Sequence, residues 1–172
     1  NGSTIDYQPW GYNPTSIGRY KKLSGATTTP TPDNTAWLQW RRDQVTALVR
    51  KVYLNAWKTK PNVRVSAALI PWGSAPGSTL SSWQSTNAYA RVLQDWRGWM
   101  EEGILDLACP MVYRTDNSGF DGWADFTKDR QYNRAGAIGM GWYLNTVANT
   151  ITQIGIARQT SPGGKTGAGL LG

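Results

Sequence analysis

Aromatic and hydrogen-bonding side chains cluster where three apolar runs of the chain end. The run 63–70 closes on Pro71 and Trp72, the run 105–113 on Pro110, Met111, Tyr113, Arg114 and Asp116, and the run 137–144 on Trp142, Tyr143 and Asn145. Flat aromatic faces stack on the apolar C–H faces of sugar rings, while arginine, aspartate and asparagine hydrogen-bond the hydroxyls. Such a mixture suits a carbohydrate. Any one of these rings could equally cap the hydrophobic core, its usual role. Three strand ends of the same character favour a shared ligand cleft over three unrelated caps.

Hydrolysis of a glycosidic bond needs two carboxyl groups across it, one as acid and one as nucleophile or base. The supply here is thin. Glu101 and Glu102 end a helical stretch on the wrong face, Asp106 opens a strand, and Asp43, Asp95, Asp125 and Asp129 read as solvated helix positions. Asp116 is the candidate catalytic acid, with Asp121 and Asp6 as further carboxylates that could reach the cleft. The chain has no histidine, and Cys109 is its single cysteine. Zinc sites and Ser-His or Cys-His nucleophile systems are therefore excluded within it, and neither a metal nor a cofactor is expected. Cys109, mid-strand among apolar residues, reads as a buried inert thiol. The segment "GGKTG" (163–167) resembles the end of a phosphate-binding loop, but position 159 is Gln where that motif needs Gly. It also follows a helix rather than a strand, so it reads as a helix-to-strand turn.

The elements that must position these residues follow from periodicity. Val45, Leu48, Val49, Val52, Tyr53 and Ala56 recur at helical spacing over 33–57, with Asp33 or Asn34 as N-cap. Residues 63–70, "VRVSAALI", read as a strand buried on both faces, and 71–86 as a Gly, Ser and Pro-rich loop. A second helix is predicted over 87–102, a strand over 105–113, a helical stretch over 121–133, a strand over 137–144 and a helix over 147–159. The apolar "AGLLG" starts a fourth strand. Helix-strand alternation repeated four times predicts an α/β fold with parallel strands and right-handed crossovers, either open and doubly wound or part of a (β/α)8 barrel. A full barrel takes about 250 residues, so the 172 residues here are expected to form half of one.

Ten tryptophans and a 40% apolar share mark a folded domain. The net charge of +7, from 18 basic and 11 acidic residues, would suit an anionic partner. Basic residues are nevertheless scattered over the helices, with no run of about five like charges, and a nucleic-acid partner is not expected. No stretch reaches the roughly 18 consecutive apolar residues of a membrane span. The opening "NGSTIDYQPW" has neither an initiator Met nor a signal-peptide pattern, so a processed or partial product is expected.

At "WGYNP" (10–14), "ILDLACPMVYRTDN" (104–117) and "GMGWYLN" (139–145) the sequence resembles the glycosyl hydrolase-like 10 family over nearly its whole length. These are bacterial (β/α)8-barrel proteins, often exported or attached to the envelope. The resemblance implies the C-terminal half of a TIM-type barrel, with 63–70 as strand five, 105–113 as strand six, 137–144 as strand seven and 169–171 as the start of strand eight. It also implies a secreted or cell-envelope location and a glycan partner. The family's "DGIHxDxxRYP"-type segment, which carries the acidic residues expected at the catalytic centre, is absent from this chain. Many retaining barrel glycosidases place a carboxylate after strand seven, where Asn145 and its neighbours offer none.

Two functions follow as expectations. One is a glycoside hydrolase-like protein with Asp116 as catalytic acid and Trp72, Tyr113, Arg114, Trp142, Tyr143 and Asn145 as substrate-binding residues, this chain alone having little or no hydrolytic activity. The alternative is a non-catalytic carbohydrate-binding or envelope-structural protein. A half-barrel would also need its open edges covered, by an N-terminal half or by a second copy of the chain. A flavodoxin-like nucleotide or flavin domain is disfavoured, since no phosphate-cradling glycine loop follows any strand.

Overall fold

The computed structural model describes residues 10–166 and the backbone of residues 169–171. Four strands run parallel in sequential order: β1 (Ser66–Leu69), β2 (Leu107–Val112), β3 (Ala135–Met140) and β4 (Gly169–Leu171). Right-handed crossovers that always step to the next strand on the same side place every connecting helix on one face of the sheet. Burial along β2 shows that arrangement directly. Ala108, Pro110 and Val112 are buried, while Leu107, Cys109 and Met111 are only partly so.

Register carries the alternation across the sheet, with Ala67 opposite Ala108, Leu69 opposite Pro110 and Val112 opposite Met140. Leu69, Ala108, Val112, Ile138 and Met140 join the helices in one core. On the opposite face Ser66 and Ala68 are exposed, so β1 is not the doubly buried strand its composition predicts. Its alanines and serine satisfy the apolar pattern without a layer to cover them. A sheet with helices on one side and no reversal of strand order is compatible with part of a barrel. Among the described residues it has no switch point of the kind at which doubly wound sheets bind ligands.

The helical layer departs from periodicity in instructive places. Helix α1 (Pro14–Ser24) has Asn13 as N-cap and a proline in its first turn, and its Tyr20 meets Trp37 edge-on at 5.4 Å. Helix α2 (Thr35–Thr59) is capped by Asn34; its Val45, Val49 and Tyr53 pack on the core, whereas Leu48 and Val52 are exposed. The helix expected over 87–102 is broken. Short helices α3 (Leu80–Gln84) and α4 (Asn87–Ala90) precede a kink at Leu93, whose φ is 61°, and α5 (Trp96–Glu102) follows. A leucine in the left-handed region is strained, and the local hydrogen bond from Gln94 N–H to the Ala88 carbonyl (2.8 Å) accompanies it.

Trp83, on α3 within the segment expected to be loop, is fully buried, packing edge-on to Trp96 at 4.8 Å and stacked on Phe126 at 5.5 Å. Asp95 holds this cluster together: it caps α5 at Gly98 N–H (3.1 Å) and accepts the Trp83 indole N–H (2.7 Å). It is a half-buried fastener rather than the solvated position its sequence context predicts.

Helix α6 (Asn117–Asp129) and helix α7 (Val147–Arg158) pack against each other and over β3. Their contact contains Lys128, which is fully buried, its ammonium 2.8 Å from Asp125 and donating to the Gln159 carbonyl at 3.0 Å. Arg42 is likewise buried, its guanidinium 3.7 Å from the centre of the Tyr89 ring. Part of the formal positive charge is thus internal. Asp125 and Asp129 are half-buried partners rather than solvated positions, Asp129 accepting from the Ser161 hydroxyl. Removing one member of a buried ion pair strands the other charge, at a cost of about 3 kcal/mol. Lys128→Ala is therefore expected to lower the melting temperature by roughly 6–12 °C, read by differential scanning calorimetry.

Candidate functional site

The first strand tip is held by other elements rather than by its own sequence. The Ile70 N–H donates to Gln94 Oε1 at 2.9 Å, so the kink at Leu93 places the side chain that ends β1. Gly73, at φ 79°, turns the chain so that its carbonyl accepts both Arg114 Nη1 (2.6 Å) and the Trp123 indole N–H (3.0 Å). Asn87 Nδ2 donates to the Trp72 carbonyl at 3.3 Å. Backbone on both sides of Trp72 is thereby fixed, and its indole stands 45% exposed at the rim.

The second tip carries Tyr113, also 45% exposed, whose ring meets Tyr143 edge-on at 6.0 Å. Tyr113 lies over β3 because position 139 is glycine: a Cβ there would sit 3.3 Å from its ring and 3.1 Å from the Pro110 carbonyl. Arg114 Nε donates to Asp116 Oδ1 at 2.9 Å, while Asp116 Oδ2 accepts from Gly119 N–H at 2.9 Å as the N-cap of α6. The Arg114 guanidinium, with help from the Gly119 N–H, holds the Asp116 carboxyl below the usual carboxylate range. An ionised carboxylate with both oxygens engaged is a poor proton donor.

Beyond β3 a single 3-10 turn (Trp142–Leu144) presents Trp142 and Tyr143, 61% and 62% exposed. Asn145 turns inward. Its Nδ2 donates to the carbonyls of Arg114 (3.0 Å) and Gly141 (2.9 Å), and its Oδ1 accepts from Asn149. Asn149 also reaches the Thr115 carbonyl (3.0 Å), and buried Gln153 donates to the Arg114 carbonyl (3.0 Å) and to Asn117 Oδ1 (3.3 Å). These amides tie the loop after β2 to α7. The sequence does not single out Asn149 or Gln153, although their i, i+4 spacing on α7 places both on one helix face.

Trp72, Tyr113 and Arg114 are brought together around an open depression of about 460 Å³, with Met111 among its other lining residues. Trp142 and Tyr143 adjoin it through the Tyr113–Tyr143 contact. Asn145 and Asp116 are committed to backbone and to Arg114. Asp121 sits one turn into α6, where burial and the neighbouring Asp125 carboxylate raise its pKa; Asp6 lies outside the described residues. Cys109 is half-buried on the uncovered sheet face, and partial desolvation pushes its thiol up. Among the described residues no group of three or more His, Cys, Asp or Glu side chains is placed to hold a metal ion, and no helix is long and apolar enough to cross a membrane.

The family model for Glycosyl hydrolase-like 10 matches residues 3–159. No curated protein and no solved structure matches the chain.

The Asp116 ion pair makes the stability of the fold depend on pH. A carboxyl whose folded pKa lies below its unfolded value stabilises the fold above the ordinary carboxylate range, and loses that contribution as pH falls through the folded value. Asn retains capping ability but not the ion pair. Asp116→Asn is therefore expected to melt below the parent at about pH 6, with the gap closing as pH falls below the ordinary carboxylate range, followed by circular dichroism.

Proposed function

Because the chain belongs to the glycosyl hydrolase-like 10 family, which points to a glycosidase-like function, we propose that it is a carbohydrate-active protein whose glycan lies across the C-terminal ends of the strands. The observation that carries this reading is the rim itself: Trp72, Tyr113, Trp142 and Tyr143 are all at least 45% exposed on three adjacent strand tips. Exposed rings on rigidly anchored backbone lose little conformational freedom when a sugar stacks on them. Arg114, at the edge of the same depression, supplies hydrogen-bond donors for hydroxyls.

In the hydrolytic form of this reading, Asp116 is the carboxylate that the described residues contribute and its partner lies elsewhere. Strands β1 to β4 are then strands five to eight of a (β/α)8 barrel. The exposed edge and face of β1 are covered by an N-terminal half-barrel or by a second copy. A specific observation favours the second reading, a binding protein without hydrolysis: Asp116 is engaged by Arg114 and by the α6 N-terminus. For either reading we propose a secreted or envelope location and no nucleic-acid partner.

A panel of oligosaccharides tested by isothermal titration calorimetry, with reducing-end release followed in parallel, separates the readings. Trp72→Ala and Tyr113→Ala are each expected to weaken binding about tenfold, corresponding to loss of roughly 1.4 kcal/mol of stacking. Release of reducing ends that disappears in Asp116→Asn supports hydrolysis, and saturable binding with no release supports the binding protein. Absence of binding to the whole panel would refute both.

A further inference from the structure

Three depressions follow one another along the rim. The one described above shares Ile70 and Trp72 with a second of about 360 Å³, and that one shares Trp10, Arg41 and Leu93 with a third of about 350 Å³. Together they form a groove that leaves the strand tips and runs towards the N-terminal face of α1 and α2. Its aromatic character continues: Trp10 stands 61% exposed, and Trp40 lines the far end.

Its charge is one-sided. Arg114, ion-paired with Asp116, lines the first depression, Arg41 and Arg91 the second, and Arg19 the third, while no aspartate or glutamate among the described residues lines any of them. Arg19 and Arg91 are exposed. Arg41 is partly desolvated, which lowers its pKa, and its guanidinium donates to the Trp10 carbonyl, fixing the entrance to the middle section. Clefts lined by one sign of charge concentrate ligands of the other sign. At the floor of the middle section lies Leu93, the buried residue held at φ 61°. Strain of this kind clusters at ligand sites.

We infer that the groove binds an anionic glycan, an oligosaccharide carrying carboxylate groups, with rings stacked on Trp72 and Trp10 and carboxylates facing the exposed Arg91 and Arg19. This rests on the glycan-binding reading above and names the substrate class it leaves open. A neutral chain would gain from the tryptophans alone. An acidic one gains from both, and arginine suits planar carboxylates.

The test uses acidic oligosaccharides (oligogalacturonate, oligomannuronate, oligoguluronate and oligoglucuronate) beside their methyl esters, which keep the sugar and remove the charge. At least one acidic form is expected to bind ten times or more tighter than its ester in low salt, with the difference shrinking as salt is raised. Arg91→Gln and Arg19→Gln, both at exposed positions, are expected to reduce that preference at least threefold each, with a larger loss for the acid than for the ester. Equal affinity for acid and ester, a preference unmoved by both substitutions, or no binding of any acidic form would overturn the inference. Neutral oligosaccharides bound with loss on Trp72→Ala would then leave the glycan-binding reading standing. Failure of every sugar, neutral or acidic, would remove both.

Discussion

The carbonyl of Gly73 is where the rim is tied together. It lies beyond the end of β1 and accepts from the guanidinium of Arg114, beyond β2, and from the indole of Trp123, in the middle of α6. Arg114 is itself held by Asp116, and Asp116 starts α6. A backbone carbonyl shared by two donors from different elements sets their separation. Trp72 and Tyr113 therefore stand where they do because a charge-assisted hydrogen bond joins the loops that carry them.

A second set of polar contacts does the same between β2 and β3. The amides of Asn145, Asn149 and Gln153 take up carbonyls of the loop 114–115 and so tie that loop to α7 and to the chain that precedes it. Below the rim, the fit depends on small residues. Glycine at 139 lets Tyr113 lie across the neighbouring strand, and alanine and serine on β1 leave the uncovered face of the sheet without bulk. The rim is rigid and aromatic; the face below it is small and half-open.

The polar groups and the rings divide the labour. Asp116 and Asn145 hold the loops, and the rings of Trp72, Tyr113, Trp142 and Tyr143 are left exposed. The same holds for charge. Lys128 and Arg42 are buried against partners, so the positive field at the surface comes from fewer residues than the composition suggests; four arginines line one groove, of which Arg114 is paired with Asp116.

Periodicity and strand-end composition determined the order of helices and parallel strands, and the aromatic character of the three tips, because local spacing decides which face of an element is apolar. Capping was legible too, as at Asn34 before α2. Tertiary structure decided the rest. The helix expected over 87–102 breaks at Leu93 because Gln94 must reach the end of β1, a partner 24 residues away. Trp83 belongs to the core although its neighbours are loop-like, since its indole meets Asp95 and its ring meets Phe126. Whether Asp116 is a reagent or a cap, and whether Lys128 is a surface charge or a buried one, depends on distances between elements far apart in the chain, and no local pattern encodes those.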